Sequence, residues 1–320
     1  MRLMTRVAVT TPYFDFYPHL VEEMKQKYPD VKFRSDRKVL SESALIEYLQ
    51  GYDAAIIGLD RFTDKVCAAL PDLKVISLMS AGADHIDPVI LKKHGKRMWW
   101  APGINRISVS ELAVSYMVLT LRRIHYFSSI LRRGEWKGPI GFGADLRGHT
   151  VGVHGCGFIG KEVVKLLQPY GVKILASDRV DISDFCKEWN VENVSAEELW
   201  ARSDVVTIHL SRNAQTIGMY SAAVLDKMKK GAVLINCARG GMVDEVALKE
   251  RLENGQISGA AFDVFAIEPA NGNPLLDVPN FFASPHIGAT TRDSWEAMLR
   301  SGIRGLEEAR IWEPGTYPFD

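Results

Sequence analysis

The stretch Thr150-Val-Gly-Val-His-Gly-Cys-Gly-Phe-Ile-Gly160 decides the fold of this chain. Its apolar start predicts a buried strand, and the glycines that follow predict a tight turn into a helix. Eighteen residues further on, Asp178 ends the apolar segment Val172-Lys-Ile-Leu-Ala-Ser-Asp178, which predicts a second strand. A strand, a glycine turn, a helix and an acidic strand end, in that order, are typical of a dinucleotide site.

Each glycine of this turn has a separate predicted role. Gly155 permits the tight turn, Gly157 lets the backbone approach a pyrophosphate, and Gly160 lets the helix pack close to the strand. The pyrophosphate is expected on the N–H groups at the helix N-terminus. The sequence therefore predicts a nucleotide-binding unit rather than a purely structural turn.

The acid at the end of the second strand selects the cofactor. A carboxylate at the position of Asp178 accepts hydrogen bonds from ribose hydroxyls and repels a 2′-phosphate, so we expect NAD rather than NADP. Arg179 follows immediately and could accommodate that phosphate, although a solvated loop arginine is the simpler interpretation. Some NADP activity is therefore an open alternative.

Composition narrows the class of protein. The 320 residues predict about two domains. A formal net charge of zero without a basic tract disfavours nucleic acid as a partner. The apolar run Leu112–Leu121 is too short to span a bilayer, so we expect no membrane partner. Four cysteines without a C-x-x-C pair, and no evident signal peptide, predict a cytoplasmic protein.

Strand and helix patterns alternate along both halves of the chain. This alternation predicts an α/β fold with two doubly wound parallel sheets, a cleft between the two domains, and ligands at the carboxyl ends of the strands. A long helix is expected at Ser108–Phe127, and another at Thr290–Ile311 that crosses back to the first domain. In the first hundred residues the expected strands are Arg6–Thr10, Val31–Phe33, Ala54–Gly58, Lys74–Leu78 and Arg97–Trp100.

Three chemically active residues follow expected strands of the second half. Arg239 ends a segment that begins at Val233, Glu268 follows Ala261-Phe-Asp-Val-Phe, and His286 follows Phe281-Phe-Ala. We expect them to converge at one edge of the parallel sheet. A guanidinium binds a substrate carboxylate in bidentate fashion. An imidazole can donate a proton to a reduced carbonyl, and an adjacent carboxylate raises its pKa and orients it. The set therefore predicts hydride transfer between NAD and a 2-hydroxy or 2-keto acid.

Several motifs together resemble the D-isomer-specific 2-hydroxyacid dehydrogenases along nearly the whole chain. The motifs that carry this resemblance are Ser80-Ala-Gly-Ala-Asp-His-Ile-Asp87, Pro102-Gly-Ile-Asn105 with Val109-Ser-Glu111, Gly155–Gly160, Asn236-Cys-Ala-Arg-Gly-Gly-Met-Val-Asp244, Asp263-Val-Phe-Ala-Ile-Glu-Pro269 and Pro285-His-Ile-Gly-Ala289. The first domain is similar in style to that of phosphoglycerate dehydrogenases, and no C-terminal regulatory domain is expected.

The resemblance implies an architecture and a set of site residues. It implies a flavodoxin-like substrate domain of residues 1–103 and 291–320, a Rossmann NAD-binding domain of residues 104–290, and a homodimer built around the helix from Ser108. The implied catalytic residues are Arg239, Glu268 and His286. The implied substrate-binding residues are Ser80, Ala81, Gly82 and Asn105, together with Arg239 and His286. The implied cofactor-binding residues are Gly155, Gly157, Phe158, Ile159, Gly160, Asp178, His209, Thr216, Cys237, Ala238, Asp263 and Gly288.

The chain departs from the family pattern at the cofactor site. Phe158 stands where the family usually has arginine, so one side-chain contact near the pyrophosphate is lost. Ser211 replaces the usual proline, and Arg212 and Asn213 replace the usual leucine and threonine, which alters the wall of the dinucleotide site.

The substrate and some rival functions are open at this point. Arg61 could hold a substrate phosphate, or it could be a solvated loop residue. Glu268 argues against formate oxidation, because formate dehydrogenases of this family carry glutamine there; phosphite oxidation is less easily set aside. The alternative to an enzyme is an NAD-sensing binding module similar to a co-repressor.

Overall fold

The computed structural model describes residues 6–36, 38–136 and 141–312. The chain divides into two compact units. One unit ends at Asn105 and resumes at Thr291, and the other unit is Arg106–Thr290.

The first unit has a five-stranded parallel sheet. Its strands are β1 (Arg6–Val9), β2 (Asp30–Lys32), β3 (Ala54–Ile57), β4 (Val75–Leu78) and β5 (Arg97–Trp99). The helices between them are α1 (Pro18–Lys27), α2 (Glu42–Leu49), α3 (Asp64–Ala69) and α4 (Pro88–Lys93). The strand order β2-β1-β3-β4-β5 is the flavodoxin-like order. The predicted doubly wound sheet is confirmed.

The second unit has a seven-stranded parallel sheet. Its strands are β6 (Thr150–His154), β7 (Lys173–Ser177), β8 (Glu192–Asn193), β9 (Val205–Ile208), β10 (Ala232–Asn236), β11 (Ile257–Phe262) and β12 (Phe281–Ala283). Its helices are α5 (Arg106–Leu121), α6 (Ile124–Arg132), α7 (Phe158–Leu167), α8 (Ser183–Glu188), α9 (Ala196–Arg202), α10 (Ala222–Lys227) and α11 (Glu245–Glu253). The order β12-β11-β10-β9-β6-β7-β8 reverses direction between β6 and β9, so ligands are expected at the carboxyl ends of these two strands.

The strands are short apolar runs, and several of the helices between them begin at a capping residue. β3, β4, β9 and β10 are buried at every position, which is typical of parallel strands covered on both faces. Several helices begin at a residue whose side chain accepts a hydrogen bond from the first turn, such as Asp87 from the N–H of Val89 (2.8 Å) and Asp244 from that of Ala247 (3.0 Å).

The prediction of a single helix at Ser108–Phe127 is wrong, because the structure has two helices there. It ends at Leu121, and α6 begins after Arg123, whose backbone is left-handed with φ 54°. The carbonyl of Leu121 accepts the N–H of Ala144 (2.9 Å) from a later loop instead of continuing the helical ladder. A tertiary hydrogen bond therefore breaks the helix, although the sequence pattern continues through it.

The last helix of the chain, α12 (Arg292–Glu308), belongs to the first unit and is shorter than the expected Thr290–Ile311. It packs on β4 and β5 through small residues: the Ser77 hydroxyl donates to the Gly302 carbonyl (2.7 Å), and the Trp99 indole donates to the Ser301 hydroxyl (3.0 Å). After the helix, Arg310 pairs with Met98 in an antiparallel bridge, which ends the helical ladder.

No helix within the three described ranges has the length and apolar content that crossing a bilayer requires.

Candidate active site

Gly155 makes the turn after β6 in a way that other residues do not tolerate. Its φ of 93° lies in the left-handed region. A Cβ on Gly155 would also lie 2.7 Å from the carbonyl oxygen of His209, which follows β9. The turn therefore lies tightly against the end of the neighbouring strand, as predicted for the first glycine of the motif.

The other two glycines have opposite surroundings. A Cβ on Gly160 would overlap the carbonyl oxygen of Gly155, so glycine is needed for α7 to pack against the turn. A Cβ on Gly157 would meet nothing within 4 Å. Gly157 caps α7 without a side-chain hydrogen bond, and this ten-residue helix begins at Phe158, which is 45% exposed. Open space in front of a helix N-terminus fits a pyrophosphate.

Asp178 follows β7 and lies beside the same turn. Its Oδ2 accepts the N–H of Cys156 (2.6 Å), and its Oδ1 accepts the N–H of Val180 (3.1 Å). These bonds hold the carboxylate next to the glycine turn, where it can accept ribose hydroxyls. Arg179, the residue that could favour NADP, is exposed in the adjoining loop.

His209 borders the turn through its backbone. Its Nε2 lies 2.9 Å from the Thr207 hydroxyl, and its buried Nδ1 has no hydrogen-bond partner within the described ranges. Burial lowers the pKa of His209 to about 3, so the ring is neutral. A buried ring nitrogen without a partner, on a residue whose backbone borders the glycine turn, fits a site completed by a polar ligand.

Thr216 closes the loop that contains the altered family positions. Its hydroxyl donates to the Ser211 carbonyl (2.7 Å) and accepts the N–H of Asn213 (2.8 Å). The replacement of the usual residues therefore leaves an internally bonded loop, and the hydroxyl of Thr216 is engaged in holding it.

Asp263 organises the segment that carries the imidazole. Its buried carboxylate accepts the N–H groups of Ile287 (2.8 Å) and Gly288 (2.7 Å) and the hydroxyl of Ser284, which also bonds the hydroxyl of Tyr116. Sequence reasoning missed the two hydroxyl residues. Ser284 lies two residues before His286, but Tyr116 is 168 residues away from Ser284 on another element, and no local pattern identifies it.

Cys237 and Ala238 form the turn that leads into Arg239. The Cys237 thiol is buried, and burial raises its pKa well above the ordinary value, so it stays protonated. The N–H of Ala238 donates to the Asn236 side chain (3.0 Å), and the Ala238 carbonyl accepts from Nη1 of Arg239 (2.8 Å). The second of these contacts orients the guanidinium.

His286 and Glu268 form a hydrogen-bonded pair. Nδ1 of His286 lies 2.8 Å from Oε2 of Glu268, and Oε1 of Glu268 accepts the N–H of Phe265 (2.9 Å). The backbone of His286 is left-handed, with φ 55°, and its N–H donates to the Asp263 carbonyl (2.8 Å). Uncommon backbone conformations of this kind concentrate at active sites.

The charges of the pair and of Arg239 act on one another. The hydrogen bond to Glu268 raises the pKa of His286, against the opposing effect of burial. Partial burial alone would raise the pKa of Glu268, but its hydrogen bonds from His286 and the Phe265 N–H outweigh burial and lower that pKa. The Arg239 charge lowers the pKa of both groups, so the three residues lie within electrostatic reach of one another.

A cavity of about 530 Å³ opens beside this pair. Its lining residues are Phe265, Glu268, Pro269, Ala270, Asn271, Leu276, Ala283, Ser284, Pro285 and His286. Within the described ranges, no group of three or more histidine, cysteine or acidic side chains is arranged to hold a metal ion.

The expected substrate loop lies in the first unit, directly after β4. The Ser80 hydroxyl donates to the Gly82 carbonyl (2.8 Å), and the Trp100 indole donates to the Ala81 carbonyl (2.9 Å). Asn105 is the last residue of this part of the unit, and Arg61 is exposed after β3.

Two alanine substitutions in the glycine turn should separate folding from cofactor binding. Gly157→Ala adds a methyl group in open space, so the free energy of unfolding should change by less than about 0.5 kcal/mol while NADH binding weakens at least tenfold. Gly160→Ala should lower both stability and binding. Urea unfolding and NADH fluorescence titration measure the two effects. Unchanged NADH affinity in Gly157→Ala would contradict this placement of the cofactor.

Comparison with known proteins identifies the family of this chain. Residues 114–288 match the family model described as D-isomer specific 2-hydroxyacid dehydrogenase, NAD binding domain. The D-3-phosphoglycerate dehydrogenase of Archaeoglobus fulgidus is 36% identical over 266 residues, which is 82% of this chain and 50% of that protein. The chain spans about half the length of the curated relatives it matches.

Solved structures share the whole fold. A Thermus thermophilus protein superposes with a TM-score of 0.85 at 29% identity and covers 96% of this chain and 98% of its own. A D-lactate dehydrogenase of Treponema pallidum superposes with a TM-score of 0.77 at 28% identity, covering 93% and 95%. The chain belongs to the D-isomer-specific 2-hydroxyacid dehydrogenase family, and its second unit is the NAD-binding domain of that family.

Proposed function

We propose that this chain is an NAD-dependent oxidoreductase that transfers a hydride between NAD(H) and a small D-2-hydroxy acid or 2-keto acid. The observation that carries the proposal is the pairing of His286 with Glu268 within electrostatic reach of Arg239. All three residues follow strands of the sheet that carries the glycine turn.

The paired imidazole suits general acid and base catalysis. Because Nδ1 is bonded to Glu268, Nε2 is the nitrogen that exchanges a proton with the substrate oxygen. Because the pKa of His286 is raised, a larger fraction of the imidazole is protonated at neutral pH, which favours proton donation to a carbonyl. In the oxidative direction, the neutral ring accepts the hydroxyl proton.

Arg239 is proposed to bind the substrate carboxylate. A guanidinium binds a carboxylate in a bidentate geometry that an ammonium cannot reproduce. Binding at this point would hold the carbon to be reduced next to His286. The loop of Ser80, Ala81 and Gly82, with Asn105, is proposed as the contribution of the first unit to substrate binding.

The proposed cofactor contacts come from the glycine turn and from residues that follow the other strands. The turn, with Phe158 and Ile159, would hold the pyrophosphate, and Asp178 would hold the ribose. The rest of the cofactor would be contacted by His209, Thr216, Cys237, Ala238, Asp263 and Gly288. Bound NAD(H) supplies the hydride chemistry, and the protein supplies orientation. Preference for NAD over NADP follows from the carboxylate of Asp178 beside the turn.

Two substitutions should affect different kinetic constants. His286→Ala should lower kcat on the order of a hundredfold or more, because the general acid is lost, while NADH binding persists. Arg239→Lys should raise KM for the keto acid by about tenfold or more, because an ammonium cannot make the two parallel hydrogen bonds of a guanidinium to a carboxylate. NADH oxidation followed at 340 nm with a panel of 2-keto acids measures both.

The same assay decides between enzyme and binding module. Near-normal turnover in His286→Ala would remove this residue from the reaction. NADH binding without oxidation by any keto acid in the panel would instead favour an NAD-sensing module similar to a co-repressor.

We also propose a homodimer built on the segment from α5 onward. Among the described residues of this part of the second unit, five large apolar side chains are exposed: Ile107, Ile124, Leu131, Trp136 and Phe142. Leu131 is 57% and Phe142 99% exposed. Exposed apolar residues concentrated in one segment are typical of an interface, and a second copy of the chain is the occupant we propose.

A charge in this segment should produce a monomer. Light scattering should give twice the chain mass of 35.7 kDa for the natural sequence and the single chain mass for Leu131→Glu. Val246→Glu, at a 67% exposed position on α11, is the matched control and should stay dimeric. A natural chain that elutes as a monomer would contradict the proposal.

The cysteines support a reducing compartment, which we propose to be the cytoplasm. All four thiols are free and buried. Recovery of the protein from an oxidising compartment in cell fractionation would contradict this placement.

A further inference from the structure

We infer that Tyr116 is a positioning residue for the reaction: through Ser284 and Asp263, its hydroxyl keeps the segment that carries His286 in the geometry that proton transfer needs. The inference rests on the proposed function, because it gives a side chain on α5 a role in that reaction.

A buried chain of hydrogen bonds leads from α5 to the segment of His286. The Ser284 hydroxyl donates to Oδ1 of Asp263 and is also bonded to the Tyr116 hydroxyl. Since a serine hydroxyl has one proton, and Asp263 accepts it, the Tyr116 hydroxyl donates to Ser284. All three residues are buried, so a break in the chain would leave a buried polar group without its partner.

The two residues that Tyr116 acts through also hold the backbone of His286. The N–H of His286 donates to the Asp263 carbonyl (2.8 Å) and to the Ser284 carbonyl (3.1 Å). The Asp263 carboxylate accepts the N–H groups of the next two residues, Ile287 and Gly288. Fixing the Ser284 side chain from α5 therefore fixes a residue that is bonded directly to the His286 backbone.

The backbone of His286 needs this support. Its φ of 55° is left-handed, and a non-glycine residue keeps such a conformation only where the surrounding contacts over-determine it. A proton donor must also lie within hydrogen-bond reach of the reacting oxygen, and a misplacement of about 1 Å can lower turnover by about a hundredfold. Contacts that hold this backbone therefore affect proton transfer.

The helix α5 contacts the segment on both sides of His286. Before it, the Tyr116 ring packs edge-on against the Phe282 ring, with centroids 5.3 Å apart. After it, a Cβ on Gly288 would lie 3.3 Å from Cγ2 of Val109. Val109 and Tyr116 are about two helical turns apart and so share one face of α5. The helix is thus a support for the whole segment, and the Tyr116 hydroxyl is its polar contact.

The Tyr116 hydroxyl keeps its proton while the imidazole titrates. Burial raises the pKa of Tyr116 above its ordinary value, so the hydroxyl remains a donor. The pKa of His286 is raised by the hydrogen bond to Glu268, and the Asp263 charge adds to that effect. The chain therefore connects a permanent donor to a charge that acts on the proposed proton donor of the reaction.

The first test removes one oxygen atom. Tyr116→Phe keeps the ring against Phe282 and should lower kcat for the best keto acid of the panel by about tenfold. KM for that acid should change by less than about twofold, because Arg239 is untouched. The matched control is Tyr48→Phe in the first unit, which removes a hydroxyl that donates to the Val9 carbonyl (3.0 Å). It should change neither constant by more than about twofold.

A double-mutant cycle tests whether Tyr116 acts through Ser284. Ser284→Ala should lower kcat by about tenfold or more, and Tyr116→Phe added to it should lower kcat by less than about twofold further. Ser284→Thr keeps a hydroxyl at this position, so its kcat should be closer to that of the natural protein than the kcat of Ser284→Ala.

The His286 imidazole reports on the same contact without turnover. In Tyr116→Phe its NMR titration midpoint should move down toward that of Glu268→Gln, because a less constrained ring keeps less of its hydrogen bond to the carboxylate. Tyr48→Phe should leave the midpoint unchanged. This measurement needs no substrate, so it decides the inference even where no keto acid is reduced.

Four results would each overturn the inference and leave the proposed function in place. They are a kcat of Tyr116→Phe within about twofold of the natural value, an equal loss of kcat in Tyr48→Phe, losses that multiply in the double variant, and an unchanged His286 midpoint in Tyr116→Phe. A natural protein that oxidises NADH with no acid of the panel contradicts the proposed function instead, and the midpoint then decides whether Tyr116 holds His286.

Discussion

The hydrogen bond between Nδ1 of His286 and Glu268 is the interaction on which the proposed chemistry depends. It orients the ring, leaves Nε2 as the nitrogen proposed to meet the substrate, and raises the pKa of the imidazole. The pair is only partly buried, with side chains 51% and 36% exposed, so solvent weakens the electrostatic part of this coupling. The backbone contacts of both residues, from His286 to Asp263 and from Phe265 to Glu268, therefore contribute to keeping the geometry.

The parallel sheet of the second unit carries both this pair and the proposed cofactor site at one edge. Gly155, Asp178 and His209 follow β6, β7 and β9, while Arg239 and Asp263 follow β10 and β11, all at the carboxyl edge. The close approach at Gly155 and Gly160 brings the helix N-terminus to this edge. The proposed ligand site at the turn and the proposed proton donor after β12 thus both lie at the carboxyl edge of one sheet.

The sequence was sufficient to predict the fold class and the elements that carry local signals. Apolar runs, glycine turns and capping residues are local, so the strands and the glycine turn were predictable. The break at Arg123 was not, because it depends on a hydrogen bond between Leu121 and a later loop. The contact of Tyr116 with Ser284 escaped prediction for the same reason. The roles of the site residues stay predictions, since they depend on ligands and on chemistry.

Titration of the His286 imidazole by NMR tests the central claim most directly. Because Glu268 stabilises the protonated ring, the natural protein should titrate above the ordinary value of about 6.5, and the imidazolium should be lost only as the pH rises through that higher value. Glu268→Gln removes the negative charge and should move the midpoint down. A midpoint at or below about 6.5 in the natural protein, or the same midpoint in the variant, would contradict the account.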